Sequence, residues 1–274
     1  MNRLLLLGNL LSKGVGILSR VHIPILSRGL NVAFVKVFGI NMDEAEHQIS
    51  GYKTIEDIFT RRLKSGARPI TGPIAVPADG VWSQGGHVVE SDQAIQVKGL
   101  TYSLSELVGF KHERPFTYFS TVYLAPHNYH RVHSPIAGNL RALLYIPGAV
   151  WPVNKPLVRY LPRLFNRNER LVFQIEAENG GTVYVVMVGA LNVARMVTPF
   201  WRGFASNDNF AHRNQQIKAL EQPIGLEVGD ELGTFMLGST AVVVCDDKAM
   251  EIYDEICGDL PRGRPVRMGE ALAP

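Results

Sequence analysis

Short apolar runs separated by Gly, Pro and Asn dominate the chain after Pro69. Seven of these runs are rich in Val, Ile, Tyr and Phe and have the length of strands: Ala75–Val81, Ala94–Val97, Thr117–Leu124, Leu140–Tyr145, Leu171–Ala177, Val183–Val188 and Ala241–Cys245. Asn179-Gly180-Gly181 lies between two of them and is typical of a hairpin turn. The pattern predicts a mainly antiparallel β-domain.

The chain before this domain has helical spacing instead. Pro24 interrupts its apolar pattern and Gly29 favours a helix end, so we expect two or three short helices over residues 3–48. The predicted fold class is therefore α+β, with a helical segment at residues 1–65 and a β-rich domain at residues 66–274.

Three further stretches have local signals. Thr54–Lys64 predicts a helix, with Thr54 as the N-cap and Asp57 as its capping-box partner. Tyr102–Val108 predicts another short helix. The final stretch, residues 261–270, has no strand pattern and predicts an extended, solvated tail.

Charge is distributed unevenly along the helical segment. Residues 1–42 contain no acidic side chain, and Asp43 is the first acid. The basic residues of this stretch are Arg3, Lys13, Arg20, Arg28 and Lys36. Because they leave no apolar run near the roughly 18 residues that a spanning helix needs, the segment is typical of helices lying in the headgroup layer of an anionic membrane. Helices that cover the protein's own core, or a dimer face, are the alternative.

Composition limits the classes of function. The 274 residues are 46% hydrophobic and 19% charged, which is typical of a globular protein. With 28 basic and 25 acidic side chains the net charge is only +3, so nucleic acid is not an expected partner. Cys245 and Cys257 have neither disulfide-framework nor zinc-site spacing, and we expect reduced thiols in a reducing compartment.

The tetrapeptide Leu237–Thr240 places a Gly-Ser bond at a turn that enters an apolar strand run. Gly238 leaves its carbonyl open to close approach, and Ser239 brings a hydroxyl next to that carbonyl. If a base removes the hydroxyl proton, the oxygen can attack the chain itself. The hypothesis is self-cleavage at this bond, and the alternative is a turn in which the Ser caps backbone groups.

A base and an orienting acid are available for Ser239. His130 and His133 lie in the segment 125–135, which begins where a predicted strand ends. Asp79 lies in a Pro/Gly turn at the end of another. A carboxylate that fixes an imidazole tautomer, and an imidazole that takes the Ser proton, would form a relay. No metal site is expected, because no nearby carboxylate or cysteine completes a ligand set. From spacing alone the constellation could equally belong to a serine hydrolase, although the Gly-x-Ser-x-Gly elbow is absent. Hydrogen bonds to the backbone are the structural alternative for Asp79 and for either histidine, and they explain both histidines less well.

Six blocks of sequence carry a resemblance to a known family. They are Phe59–Ile70, Pro77–Gly80, Tyr129–Pro135, Leu164–Arg170, Gly229–Gly233 and Leu237–Thr240. In this order they resemble the phosphatidylserine decarboxylase family, in its compact membrane-associated bacterial form. With the N-terminal segment, the resemblance covers nearly the whole chain.

The resemblance implies a proenzyme that cleaves itself between Gly238 and Ser239 into chains 1–238 and 239–274. β-Elimination and loss of ammonia would convert Ser239 into a pyruvoyl group, the implied cofactor. Its ketone forms a Schiff base with the amine of phosphatidylserine and stores the electrons released as carbon dioxide leaves. The implied product is phosphatidylethanolamine.

The resemblance also implies residue roles and partners. Asp79, His133 and Ser239 fall on the family's self-processing triad, and His130 falls on the histidine of the decarboxylation step, as the candidate proton donor. The implied partners are phosphatidylserine in the membrane, an anionic membrane surface and a second two-chain protomer in a homodimer. The expected location is peripheral, on the cytoplasmic face of the cell membrane. The competing hypotheses are a serine hydrolase and a non-catalytic lipid-binding β-domain.

Overall fold

The computed structural model describes residues 24–88, 92–97, 100–153, 160–190, 195–206, 214–236, 239–254 and 260–272. Leu237 and Gly238 of the predicted cleavage site lie outside the described residues, as do Cys257 and residues 1–23 of the predicted helical segment. For Ser239 only the backbone is described.

Within these ranges the chain forms thirteen strands and five α-helices. The strands are β1 (Gly80–His87), β2 (Gln93–Val97), β3 (Leu100–Ser103), β4 (Phe116–Leu124), β5 (Arg131–His133), β6 (Gly138–Ile146), β7 (Arg170–Glu176), β8 (Thr182–Val188), β9 (Met196–Val197), β10 (Gln216–Leu226), β11 (Glu231–Phe235), β12 (Ser239–Asp246) and β13 (Pro265–Val266). The helices are α1 (Pro24–Phe38), α2 (Ile55–Phe59), α3 (Leu104–Val108), α4 (Leu164–Arg167) and α5 (Asp247–Tyr253), and a 3-10 turn covers Ile49–Gly51.

Antiparallel pairing organises these strands. Eight of them form one sheet in the order β10-β6-β7-β8-β12-β4-β1-β13, and two smaller sheets have the orders β5-β11-β9 and β2-β3. Every pairing between the named strands is antiparallel. The predicted α+β class with a mainly antiparallel β-domain is confirmed, and so is the hairpin turn at Asn179–Gly181, which joins β7 to β8.

The core lies on the central strands of the large sheet. The apolar runs Val183–Val188 in β8 and Ala241–Val244 in β12 are fully buried. Because successive side chains point to opposite faces, both faces of these strands must be covered. Each buried aliphatic side chain of this kind contributes roughly 1.5–3 kcal/mol, which makes the centre of the sheet a rigid support for whatever lies at its ends.

The first predicted strand, Ala75–Val81, is wrong in its bounds. β1 begins only at Gly80, because Pro73 and Pro77 have no N–H to offer a strand ladder. Asp79 therefore precedes a strand instead of following one.

The prediction of a solvated C-terminal tail is also wrong. β13 pairs with β1, and the N–H of Gly269 donates to the carbonyl oxygen of Val76 at 3.0 Å. Val266 and Leu272 are buried. This stretch covers the segment that leads through Asp79 into β1, so it is part of the structure around a predicted site residue.

The helix at the start of the described chain is longer than expected. α1 begins at Pro24, whose missing N–H needs no partner in the first turn, and it continues through Gly29 to Phe38. Gly39 then takes a φ of 64°, a left-handed conformation that commonly ends a helix. Among the residues with a described structure, no helix has the length and apolar character needed to cross a membrane.

Two other helices are shorter than predicted. The capping box of Thr54 and Asp57 is present, which confirms the start of α2, but the helix ends at Phe59. α3 uses Ser103 as its N-cap, and Tyr102 belongs to β3.

Candidate active site

Ser239, the second residue of the predicted cleavage site, lies where several strands of the large sheet end together. Residues in register across five strands form a row, Val81, Tyr123, Thr240, Val188 and Arg170. One residue closer to the end of the sheet, Ser239 pairs with Leu124. In the same direction, the N–H of Gly189 donates to the carbonyl oxygen of Glu169 at 2.9 Å. The backbones of Gly80, Ser239 and Glu169 thus lie at one end of the sheet.

Two segments run side by side at residue 239. β4 ends at Leu124, opposite Ser239, and continues into the segment that carries the histidines. Further along, the carbonyl oxygen of His130 accepts a hydrogen bond from the N–H of Phe235 at 3.0 Å. Leu124 therefore lies beside Ser239 and His130 beside Phe235, and the structure brings His130 into the neighbourhood of Ser239.

His130 is fully buried, and its ring lies 3.8 Å from the ring of Phe59 between centroids. Its Nδ1 is 2.9 Å from the carbonyl oxygen of Asn128, so Nδ1 carries the proton and Nε2 is left as an acceptor. Nε2 is buried without a hydrogen-bond partner among the described residues. Burial lowers the pKa of His130 to about 3, because desolvation disfavours the charged ring. This neutral ring offers an unused lone pair to a ligand.

His133, at the end of β5, is also buried. Its Nδ1 donates to the carbonyl oxygen of Gly229 at 2.7 Å, and its Nε2 accepts from the hydroxyl of Tyr129 at 3.0 Å. Burial is the main influence on its pKa and lowers it, while the carbonyl bond and the charges of Glu231 and Asp79 act in the opposite direction. The ring is held in one tautomer, with Nε2 as its basic atom.

Asp79 is buried against Arg68. The guanidinium Nε donates to Oδ1 at 2.8 Å, and Nη2 donates to Oδ2 at 2.5 Å. The N–H of Met268 donates to Oδ1 at 2.9 Å, and Nη2 of Arg68 also reaches Glu44 at 2.8 Å. In this arrangement the Asp79 carboxylate accepts hydrogen bonds from Arg68 and the N–H of Met268, and not from His133. The expected carboxylate-imidazole hydrogen bond is thus replaced by a carbonyl-imidazole bond, and the catalytic roles of the triad residues stay predictions.

Two arginines hold the histidine segment in place. Arg61 is buried, and its Nη2 donates to the carbonyl oxygen of His127 at 3.1 Å. Arg131 donates from Nη2 to the carbonyl oxygen of Thr60 at 2.9 Å and from Nη1 to Glu231 at 2.6 Å. The position of both imidazole rings therefore depends on residues that follow α2, outside the sheets.

The sequence alone did not single out Tyr129, Gly229 or Arg68 as partners of the predicted site residues. All three lie in the sequence blocks that carry the family resemblance. Their position in these blocks was the signal that could have identified them as part of the site. Spacing could not pair His133 with a carbonyl 96 positions away, because such a contact depends on how β5 and β11 pair.

Comparisons with known proteins decide the family. A family model described as phosphatidylserine decarboxylase matches residues 55–274. The chain belongs to the phosphatidylserine decarboxylase family. The resemblance expected from the six sequence blocks is thereby confirmed.

Relatives within the phosphatidylserine decarboxylase family extend the similarity beyond the family model. A phosphatidylserine decarboxylase proenzyme of Ectopseudomonas mendocina is 39% identical over 281 residues, covering 99% of this chain and 96% of the relative. Proteins of the same name from Herminiimonas arsenicoxydans and Pseudomonas aeruginosa (strain LESB58) are each 39% identical, over 90% and 97% of this chain and 84% and 92% of the relatives. The similarity therefore includes the N-terminal region before α2.

Proposed function

We propose that this chain is a self-cleaving phosphatidylserine decarboxylase, which converts phosphatidylserine to phosphatidylethanolamine and carbon dioxide. The names of its relatives supply the substrate and the proenzyme state. The observation that carries the proposal is the meeting of the His130 segment with the start of β12 at Ser239. A buried imidazole with an unused Nε2 suits proton transfer at this place better than it suits packing, because an unpaired buried polar atom costs about 1–3 kcal/mol.

Self-cleavage needs a base for the Ser239 hydroxyl, and His133 has the tautomer for this role. Its basic Nε2 already accepts a hydrogen bond from the hydroxyl of Tyr129. Asp79 favours the imidazolium that forms, since its negative charge raises the pKa of His133 against the effect of burial. The Ser239 oxygen then attacks the carbonyl of Gly238, the amide becomes an ester, and elimination separates the two chains.

The cofactor in this proposal is a pyruvoyl group at the first residue of β12. When formed, it supplies a ketone that takes up the substrate's amine and draws off the electrons left behind by carbon dioxide. The surroundings fit, because the orphaned Nε2 of His130 can accept a hydrogen bond from the substrate's ammonium group.

The proposed location is the cytoplasmic face of the cell membrane, with α1 lying on an anionic surface. α1 exposes 38% of Leu30, 76% of Val37 and 41% of Phe38 to solvent. Arg28 and Lys36 are exposed on the same helix. Exposed apolar side chains next to basic ones suit the headgroup layer. The family resemblance further implies a homodimer of two-chain protomers.

Gel electrophoresis and mass spectrometry of the purified protein test the proposal. The protein should separate into chains 1–238 and 239–274, and the shorter chain should have a blocked, carbonyl-reactive N-terminus. Ser239→Ala should remain one chain and release no carbon dioxide from phosphatidylserine. Ser120→Ala is the matched control, because its buried hydroxyl on neighbouring β4 has no described partner, and it should cut normally.

Other outcomes would favour other functions. A single uncut chain that hydrolyses esters through Ser239 would indicate a serine hydrolase. A single chain that binds lipid without altering it would indicate a lipid-binding β-domain. Normal cutting of Ser239→Ala would refute the proposed chemistry.

A further inference from the structure

Glu169 is a buried carboxyl group at the same end of the large sheet, and none of the roles above uses it. It is 3% exposed. Its Oε2 accepts from the hydroxyl of Tyr145 at 3.0 Å, and its Oε1 lies 3.3 Å from Oγ of Ser206. Among the described residues, these two hydroxyls are the side chains that influence its pKa, and no cation joins them. A carboxyl group in such surroundings is costly to keep ionised.

Glu169 fills the space over Gly189. A Cβ placed on Gly189 would lie 2.7 Å from Cγ and 2.9 Å from Oε1 of Glu169, so the carboxyl group occupies the place of the missing side chain. Val188 pairs with Thr240, which puts Gly189 beside the backbone of Ser239. Neighbouring strands are about 4.8 Å apart, and the glycine thus leaves a short path from the carboxyl group to residue 239.

A second set of contacts connects Glu169 to the strand that leads into the cleavage site. Oγ of Ser206 accepts from the N–H of Met196 at 2.8 Å. Met196 pairs with Phe235 in the three-stranded sheet. Glu169 is therefore linked to the chain on both sides of residue 239, through Gly189 to β12 and through Ser206 to β11.

We propose that Glu169 is the proton donor of the decarboxylation step, an inference that rests on the proposed function. The bond between the substrate's α-carbon and its carboxylate breaks, and carbon dioxide leaves. The α-carbon forms a C–H bond with the proton of the Glu169 carboxyl group. The resulting carboxylate regains a proton from water, so each turnover consumes one proton, as the conversion of a carboxylate to carbon dioxide and a C–H bond requires.

The surroundings of Glu169 and His130 suit opposite proton roles. Burial raises the pKa of Glu169 to about 7, so much of it carries a proton at neutral pH. Burial lowers the pKa of His130 to about 3, so its ring is neutral at neutral pH and its Nε2 carries no proton to donate. Groups whose pKa values are pushed apart in this way divide acid and base roles between them.

Two near-isosteric variants test the proposal in the self-cleaved enzyme. Glu169→Gln keeps an acceptor for Tyr145 but loses the titrating proton. It should cut to the same extent as wild type and give the same carbonyl-reactive N-terminus at 239, while turnover of phosphatidylserine falls about 10²-fold or more.

Tyr145→Phe tests the pH dependence of turnover, which would not change if Glu169 had only a structural role. It removes a hydrogen bond that lowers the pKa of Glu169. Activity that requires the protonated carboxyl group falls as pH rises through this pKa, so the alkaline limb of the pH–rate profile should move to higher pH.

Three results would overturn the proposal. The first is turnover of Glu169→Gln within about twofold of wild type, which would favour His130 as the donor. The second is an alkaline limb that stays in place in Tyr145→Phe. The third is loss of cutting in Glu169→Gln, which would move its role to processing or folding. If wild-type protein neither cuts nor releases carbon dioxide from phosphatidylserine, the proposed function itself fails.

Discussion

At the scale of single residues, the two histidines share a tautomer and differ in what their second nitrogen meets. Nδ1 of His130 donates to the carbonyl of Asn128, and Nδ1 of His133 donates to that of Gly229. Nε2 of His133 accepts from Tyr129, whereas Nε2 of His130 has no partner in the described part of the chain. Each ring therefore has an accepting Nε2, but only that of His133 has a partner among the described residues, which supports separate roles in cutting and turnover.

Alanine variants should separate these roles. His133→Ala should remain uncut, because the Ser239 hydroxyl loses its base. His130→Ala should cut but release carbon dioxide about 10²-fold more slowly or worse. The extent of cutting on gels and the release of carbon dioxide are the two measurements, with exposed His47→Ala as the control. An uncut His130→Ala protein would mean that the two roles are exchanged.

His130 should also make the fold sensitive to acid. Its folded pKa is lowered from 6.5 to about 3, so between these values the unfolded chain binds a proton that the folded chain does not. Its contribution to the free energy of unfolding is present above about pH 6.5 and decreases as pH falls toward 3, by at most about 5 kcal/mol. Urea unfolding of uncut Ser239→Ala protein should lose stability more steeply with acid than the same protein carrying His130→Gln. Equal slopes would contradict the assignment.

At the scale of elements, ion pairs fix the entry to β1. The side chains of Arg68 and Asp79 are each 7% exposed. Arg267, from the C-terminal stretch, reaches Glu44 at 3.3 Å, and Glu44 in turn contacts Arg68. Ion pairs therefore join three segments that are distant in the chain, next to the predicted triad. Local sequence patterns do not predict such pairs.

Removing one member of this network should be costly. Arg68→Met leaves the carboxylate of Asp79 buried without its cation, and we expect a loss of about 3–5 kcal/mol in the free energy of unfolding. Arg141→Met is the control, because its partner Glu176 is 38% exposed and such surface pairs contribute at most about 1 kcal/mol. Urea unfolding in the uncut Ser239→Ala background measures both. Similar losses of unfolding free energy in the two variants would show that burial does not determine how much the Arg68–Asp79 pair stabilises the fold.

Strand prediction succeeded for the long apolar strands of the large sheet and missed strands that are short or exposed, such as β11 and β10. β8 and β12 contain buried apolar runs, and their bounds were predicted to within one and two residues. β10 was missed, because it is the outermost strand, is largely exposed and contains Pro223. Outer strands tolerate Pro, since one side of the backbone needs no partner, so their sequences lack a strand pattern.

At the scale of the whole molecule, residues of the predicted helical segment contact the histidine segment of the β-domain at the candidate active site. Phe59, at the end of α2, packs on His130, and Thr60 accepts from Arg131. α1 in turn packs through Val35 against Ile58. A helix that lies on a membrane would therefore be in contact with the elements that position the histidines.

The membrane proposal can be tested with deletion and point variants. Deletion of residues 1–40 should weaken sedimentation with anionic vesicles more than it weakens self-cleavage. A sharper variant combines Val37→Glu with Phe38→Glu, which changes exposed side chains and spares the packing of Val35. It should cut normally and sediment less, with uncharged vesicles as the control. Unchanged sedimentation of both variants would count against the anchor.

The sequence by itself determined the family, the α+β class and the candidate residues, because motif blocks and apolar runs are local in the chain. The Gly-Ser bond before an apolar strand and the histidines after another could be read without coordinates. The register of β4 against β12 then confirmed that these two stretches are neighbours.

Only the tertiary structure decided how the site residues are held. Gly229 orients His133, Arg68 holds Asp79, and a glycine at position 189 makes room for Glu169. In the sequence, Glu169 lies between Arg167 and Arg170, a polar setting that is typical of an exposed side chain. Its burial, like the other two contacts, follows from strand register and sheet order, which join residues far apart in the chain and which no local pattern encodes.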